Sequence, residues 1–357
     1  MTTEIKLNTK LEFFCGTGGV GKTTLSASRA HYLANVLLKK VVLITIDPSL
    51  RLKDFFQLNE TGKIVKSHGI DILLFSPTHF LNELFHSKNL SVNDFRPIKI
   101  VSGSHGGLNE ILSLVKISQL ISENLYEYVI VDTAPGEHFL DFLEGLEKIK
   151  LFFSPSLSLF LKMTSALNPS KFGFMGELVQ SITQSGIDKT FTLIEKLTGP
   201  DFLQEFRKTL AGILSLKDIF LQSLELFDDL KQEDRTTFFL VTTIEHDKWN
   251  ELLEMRKSLK NYSKKQFTLL LNQSALANNL TSEIKNIKNK EWKEHCEILL
   301  LREESWNKEM FEHFHKILSF PRIFKKSQNP KNMNTATNTT LEILSTLTEY
   351  WQKGENK

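Results

Sequence analysis

Cysteine is almost missing from this chain: its 357 residues contain two, Cys15 and Cys296. Two cysteines so far apart exclude the paired CxxC ligands of a zinc site and the cross-linked framework of a small secreted domain. Long apolar runs are missing as well, and none approaches the ~20 residues of a membrane-spanning helix. The opening Met-Thr-Thr-Glu-Ile-Lys lacks the cationic start and apolar core of a secretory signal. An excess of either charge is also absent, since 44 Lys and Arg face 42 Asp and Glu for a net charge of +2. A balance that even excludes affinity built on neutralising nucleic-acid phosphates, so no nucleic-acid partner is expected. The basic stretches at 285–293 and 325–331 read as solvated faces. The expected setting is the reducing cytoplasm.

What the chain does have is 41% apolar residues, enough for a sizeable core. Its length suits two domains, or one large α/β domain with an insertion. Leu11-Glu12-Phe13-Phe14-Cys15 is a short apolar run ending in glycines, a strand that feeds a turn. Helical spacing follows over 23–38. The β-branched run 41–46 has the pattern of a strand buried on both faces of a parallel sheet. Further strands are expected at 70–75 and 128–131, the latter after a helix over 108–125. Strands alternating with helices imply a doubly wound, mostly parallel α/β sheet. From 151 to 235 strand signals vanish, and Phe202, Phe206, Leu210, Phe220, Leu224 and Phe227 recur at helical spacing. This segment reads as a helical insertion. The sheet pattern resumes at 237–242 and 267–271. The expected organisation is therefore a nucleotide-binding core in two parts, 1–150 and 236–324, around the insertion 151–235. A polar connection, 325–340, and a short terminal helix, 341–351, complete it.

Gly16-Thr17-Gly18-Gly19-Val20-Gly21-Lys22-Thr23 satisfies G-x-x-x-x-G-K-[ST] between an expected strand and an expected helix. Glycines let successive backbone N–H groups turn inward around phosphate without a Cβ in the way. Lys22 supplies a charge to the β- and γ-phosphates, the Thr23 hydroxyl ligates Mg²⁺, and the helix N-terminus, with Thr24 in its first turn, faces the anion. The implied ligands are ATP and Mg²⁺, in a fold of the P-loop NTPase type. Asp132 ends an apolar strand, where a carboxylate reaches Mg²⁺ through water or simply caps a helix. Asp47 also follows a strand and, beside Pro48, serves either as a turn residue or in catalysis. Cys15 reads as a small core residue beneath the loop.

The loop form G-x-G-G-V-G-K-T-T resembles the deviant Walker A loop of the ArsA, MinD and ParA group. Thr45-Ile46-Asp47-Pro48-Ser49-Leu50 resembles the D-P-A-x-x-L first switch of its ArsA and tail-anchored-protein-targeting branch. Asp132-Thr133-Ala134-Pro135-Gly136-Glu137-His138 is similar to the second switch, D-T-A-P-T-G-H. Val241-Thr242-Thr243-Ile244-Glu245 resembles a later V-T-x-P-E segment, with Ile244 in place of proline. The resemblance spans roughly residues 11–325 and implies an ATPase. It implies that Asp47 orients or deprotonates the attacking water, that Asn272 reads adenine, and that Pro321 lies near the base. His138 is expected to be a switch residue without a catalytic role. A helical insertion of this kind implies a hydrophobic membrane-protein client.

Three departures from the family pattern matter. The second loop position, which carries a signature lysine reaching across a dimer, is Thr17 here. The loop keeps its glycines and loses a cation aimed at charge that develops in the partner's site, a contribution that an arginine finger elsewhere makes worth about 10³–10⁵ in rate. Similar loops in a bacterial subgroup, which occur beside a lysine-bearing paralogous ATPase, imply a heterodimer with such a paralogue, and a homodimer is the alternative assembly. Arg51 or Lys53 is the alternative source of the cation. The targeting factors' CxxC zinc pair is absent, and two cysteines do not make an arsenite site. The competing reading is a nucleotide-binding partner subunit that hydrolyses weakly or not at all. MinD- or ParA-type positioning on membrane or DNA is disfavoured, because 341–351 carries no lysine or arginine.

Overall fold

An interior strand of a two-layered sheet has no solvent face, and the run from Lys10 to Gly16 is buried at six of its seven positions. The computed structural model describes residues 9–47, 49, 51–87, 108–136, 139–140, 216–232, 235–260, 262, 267–277, 284–323 and 334–355. Numbered over these residues, the strands are Lys10–Gly16 (β1), Val41–Thr45 (β2), Ile64–Ser67 (β3), Ile70–Leu74 (β4), Tyr128–Asp132 (β5), Thr236–Thr242 (β6), Thr268–Ser274 (β7) and Lys316–Pro321 (β8). They form one sheet in the order β3-β4-β2-β5-β1-β6-β7-β8. Every neighbouring pair is parallel except β3 with β4. The chain builds outward on one side of β1 through β2 and β5, then on the other through β6 to β8. Such a reversal of strand order opens a crevice at the carboxyl ends of the strands, where open α/β sheets take their ligands.

The expected strands at 11–15, 41–46, 70–75, 128–131, 237–242 and 267–271 are all present, the last running on to Ser274. Strands β3 and β8 were not expected. Both are sheet edges, half exposed, so neither carries an unbroken apolar run. The helices are Lys22–Asn35 (α1), Arg51–Phe56 (α2), Pro77–Ser87 (α3), Leu108–Ser122 (α4), Lys217–Gln232 (α5), His246–Leu259 (α6), Lys290–His313 (α7) and Asn334–Glu355 (α8). Helix α7 starts where the Asn289 side chain accepts a hydrogen bond from the Trp292 amide, an N-cap.

The chain divides into two compact units. One draws on Met1–Phe75, Ile117–Asp141 and Phe227–Lys357, and contains the whole sheet. The other draws on Ser76–Lys116 and Phe142–Leu226. Of the insertion expected at 151–235, residues 151–215 lie outside the described residues. Within α5, Phe220, Leu224 and Phe227 are buried, so this part of the Phe and Leu pattern is core.

Alternation along β1 sends Phe13 to one face of the sheet and Glu12 and Phe14 to the other. Phe13 stacks on Phe238 with ring centroids 5.2 Å apart and meets Phe139 at 5.5 Å. On the opposite face Phe14 meets Phe239 and Trp351 at 4.9 and 6.2 Å. Trp351 belongs to α8, which begins at Asn334, earlier than the expected 341. Residues 334–340 are poor helix formers, and docking overrides that preference: the Thr340 hydroxyl donates to the Phe55 carbonyl at 2.9 Å, and Leu344, Leu347 and Trp351 are fully buried. The Trp351 indole donates to the Ser28 hydroxyl of α1 at 2.9 Å. Arg29, buried beside it, donates to Glu12 of β1 through Nε at 3.0 Å and Nη2 at 2.8 Å, and pairs with Glu355 at the end of α8. A buried guanidinium left without its carboxylate costs about 3–5 kcal/mol, so Glu12, Arg29 and Glu355 hold together as a set.

Replacing Trp351 by Ala removes a wholly buried ring and its indole hydrogen bond. We expect a loss of about 3–5 kcal/mol in unfolding free energy. Urea denaturation followed by circular dichroism measures it, and a loss below about 1 kcal/mol would show that α8 docks loosely.

Candidate functional site

The crevice beside β1 is closed by the loop that joins β1 to α1. Gly16 lies at φ 155° opposite Val241 of β6, and a Cβ there would come within 2.3 Å of the Val241 carbonyl oxygen. Only a residue without a side chain fits between the two strands. Gly21 closes the loop at φ 96° as the residue preceding α1, and a Cβ on it would fall 2.1 Å from the Asn272 amide nitrogen. No side chain caps α1, and its first turn holds no acidic residue, so its leading N–H groups stay available to an anion. From the second switch, the Gly136 amide donates to the Gly16 carbonyl at 3.1 Å and the Thr133 hydroxyl to the Phe14 carbonyl at 2.7 Å. Loop and switch thus share hydrogen bonds. Glu137 and His138 lie outside the described residues.

Lys22 is buried, and its ammonium donates to the Gly16 and Thr17 carbonyls at 2.9 Å each. Burial holds it below the usual lysine range, Arg51 adds to that, and the carboxylates of Asp132 and Asp47 work against it. Beneath the loop, burial pushes the Cys15 thiol up, as befits a neutral core residue.

Four residues form a relay from the loop to the first switch. Asp132, at the end of β5, accepts from the Thr23 hydroxyl at 2.9 Å and from the Thr45 hydroxyl at 3.4 Å, both on Oδ2. Thr45, at the end of β2, accepts in turn from the Asp47 amide at 3.2 Å. The Asp47 carboxylate accepts from the Ser49 amide at 2.9 Å and the Ser49 hydroxyl at 2.7 Å. Burial pushes Asp132 up to about 7 despite the Thr23 hydrogen bond and the charge of Lys22. Its Oδ1 is buried without a hydrogen-bond partner. A desolvated carboxylate with one free oxygen, beside a threonine hydroxyl and an uncapped helix N-terminus, fits a hydrated divalent cation held with a phosphate chain.

The remaining expected residues distribute as follows. Val20 is buried and Gly19 exposed, with Gly18 and Thr24 half-buried between them and the helix. Thr17 is 2% exposed and its hydroxyl has no hydrogen-bond partner, so the position that bears the signature lysine elsewhere presents no group outward. Asn272 lies on the loop, its amide donating to the Val20 carbonyl at 2.8 Å. Pro321 ends β8 and pairs with Ser274 of β7, which places it one strand away from Asn272. Sequence reasoning missed Thr45 and Ser49 as functional residues. The signal for Thr45 was a lone hydroxyl closing an apolar strand; Ser49 stands where the switch pattern has alanine.

The two ends of the glycine series make a contrast. Gly16→Ala should destabilise the protein by about 1–3 kcal/mol, the cost of strain at a position without space. Gly18→Ala, whose Cβ would find its nearest neighbour at 4.0 Å, should change stability by less than about 0.5 kcal/mol. Denaturant midpoints decide between these, and equal effects would refute the close approach at Gly16.

Comparison with known proteins agrees with this geometry. Residues 9–319 match the profile of the anion-transporting ATPase family, ArsA_ATPase. The chain is similar to the ATPase GET3 of Malassezia globosa, 27% identical over 268 residues that cover 73% of this chain and 71% of that one. Its similarity to the get3 ATPase of Aspergillus terreus is 27% over 276 residues, with 73% and 72% covered. For the GET3 ATPase of Phaeosphaeria nodorum the identity is 25% over 272 residues, with 73% and 75% covered. With a doubly wound sheet, a phosphate loop at its crevice and a profile match over most of its length, this chain belongs to the anion-transporting (ArsA) ATPase family.

Proposed function

We propose that the chain is a cytoplasmic, Mg²⁺-dependent ATP-hydrolysing switch, and the observation that carries this reading is the hydrogen-bonded relay Thr23–Asp132–Thr45–Asp47. It joins the start of α1 to the first switch through two strand ends, those of β5 and β2, so a change at one is felt at the other. The loop amides and the start of α1 hold the phosphates. Lys22 leaves the Gly16 and Thr17 carbonyls to meet the β- and γ-oxygens. Thr23 would ligate Mg²⁺ directly and Asp132 through water. The bound ion supplies charge neutralisation on the phosphoryl oxygens. Asp47 turns from Ser49 to orient the attacking water and accept its proton. Asn272 and Pro321 hold the adenine side.

Thr17 supports a second element of the proposal. A buried threonine gives a partner's site no cation, so fast turnover needs a lysine-bearing paralogous ATPase, in a heterodimer. The other assembly is a homodimer, with Arg51 or Lys53 as the substitute charge. Thr17 also favours the alternative in which this chain is the nucleotide-binding, weakly hydrolysing subunit of such a pair. The client would be a hydrophobic segment of a membrane protein. That part rests on the family resemblance and on the Phe- and Leu-rich composition of 151–235.

Two substitutions separate binding from chemistry. Lys22→Ala should weaken Mg-ATP binding by about tenfold or more in calorimetric titration of a folded protein. Asp47→Asn should leave binding intact and lower single-turnover hydrolysis by about 10²–10⁴. Unchanged affinity in the first would sink the loop assignment, and an unchanged rate in the second would make Asp47 a turn residue only. The pairing is tested by phosphate release: wild type should turn over slowly, and either Thr17→Lys or added lysine-bearing paralogue should accelerate it. Fast turnover by the wild type alone, indifferent to both, would return the role to Arg51 or Lys53.

A further inference from the structure

Strand β7 does not run straight to its end. Its pairing with β8 keeps register from Thr268 opposite Lys316 to Leu271 opposite Ser319, then slips so that Ser274 stands opposite Pro321. Three steps along β7 match two along β8, which is a bulge of one extra residue at Asn272–Gln273. Gln273 sits at φ 59°, the left-handed region that disfavours a residue with a side chain. Such strain persists where the surroundings over-determine it, and it clusters at functional positions. Here the bulge turns Asn272, 9% exposed, onto the Val20 carbonyl of the phosphate loop.

The surroundings that hold the bulge come from two helices. Glu303 of α7 is 1% exposed, and its Oε2 accepts from the Ala275 amide at 2.6 Å and the Leu276 amide at 3.2 Å. Its Oε1 accepts from the Ser274 hydroxyl at 2.5 Å, and that hydroxyl oxygen accepts from the Ala277 amide at 2.9 Å. From α8 the Tyr350 hydroxyl donates to the Ala277 carbonyl at 2.8 Å. Every residue from Ser274 to Ala277 is thus tied, and the carboxylate of Glu303 takes three of the donors.

We propose that Glu303 is the positioning residue of the base subsite: it fixes the turn 274–277, thereby holds the bulge at Asn272–Gln273, and so sets the amide edge that Asn272 offers to a purine. The inference rests on the nucleotide reading given above. Glu303 does not touch the nucleotide; it acts through Asn272. Its effect should therefore fall more on base recognition than on the phosphates, which Lys22 and the amides of the loop between β1 and α1 hold and which Asn272 reaches indirectly, through the Val20 carbonyl.

Calorimetric titration of the full chain with Mg²⁺ and ATP, GTP or inorganic tripolyphosphate tests this. Wild type should prefer ATP to GTP. Glu303→Ala should lose about tenfold or more in ATP affinity, with the ATP-over-GTP ratio falling towards one and tripolyphosphate affinity changing less than about twofold. Glu303→Gln should keep most of the preference, because its carbonyl still serves the two amides and its amino group can turn to the Ser274 hydroxyl. Should Glu303→Ala not fold, Glu303→Asp, which withdraws the same carboxylate by one methylene, carries the comparison with the same loss of preference expected. An unchanged ATP-over-GTP ratio, or equal losses for ATP and tripolyphosphate, would overturn the positioning role while leaving the nucleotide site standing. A wild type that binds none of the three ligands would instead remove the nucleotide reading itself.

Discussion

Lys22, in the first turn of α1, and Asp132, at the end of β5, both lie out of water, and each draws its hydrogen bonds from groups other than the other. Taking an ammonium and a carboxylate from solvent is expensive, and fixed dipoles must stand in for the lost water. The loop carbonyls do so for Lys22, and the hydroxyls of Thr23 and Thr45 for Asp132. Much of the local architecture answers to this need. Gly16 allows the loop to approach β6 closely, Gly21 starts α1 without a capping side chain, and Thr45 links the carboxylate to the first switch. A site under this tension responds strongly to any ligand that brings charge of its own.

The interior of the sheet was legible because a strand buried on both faces has to be apolar throughout. Val41-Val42-Leu43-Ile44 and Tyr128-Val129-Ile130-Val131 have no other reading. The edges were not, since Ile64–Ser67 and Lys316–Pro321 each keep one side open and break the run with Lys or Ser. Glycine spacing and Lys22 were visible as a motif, because phosphate binding constrains consecutive residues. Thr45 was marked by no more than a hydroxyl at the end of an apolar strand, and Glu303 by nothing local, for the opposite reason. Their importance comes from partners far along the chain, Asp132 for one and the turn after β7 for the other, and no local pattern records that. The helical start at Asn334 was hidden similarly, behind a run of Asn and Thr with weak helix preference that precedes the docked part of α8, from Thr340 on.

Departures from the family pattern acquire physical content in the structure. Thr17 is turned inward and buried, so the loss of the lysine is also a change in what the loop shows to its surroundings. Ser49, in the place of an alanine, adds a hydroxyl bond to the Asp47 carboxylate.

The contact of Arg29 with Glu355 spans 326 positions, and those of Ser28 with Trp351 and His31 with Thr348 span 323 and 317. At a synthesis rate of about 5–20 residues per second, 326 positions correspond to roughly 16–65 s of translation. Throughout that interval β1 and α1 exist in the cell without the helix that covers them. Glu12 is then the carboxylate at hand for Arg29, and the rings of Phe14 and Phe239 lack the indole that seals them. The nascent chain therefore carries an uncovered apolar face on β1 and α1 until α8 has been made.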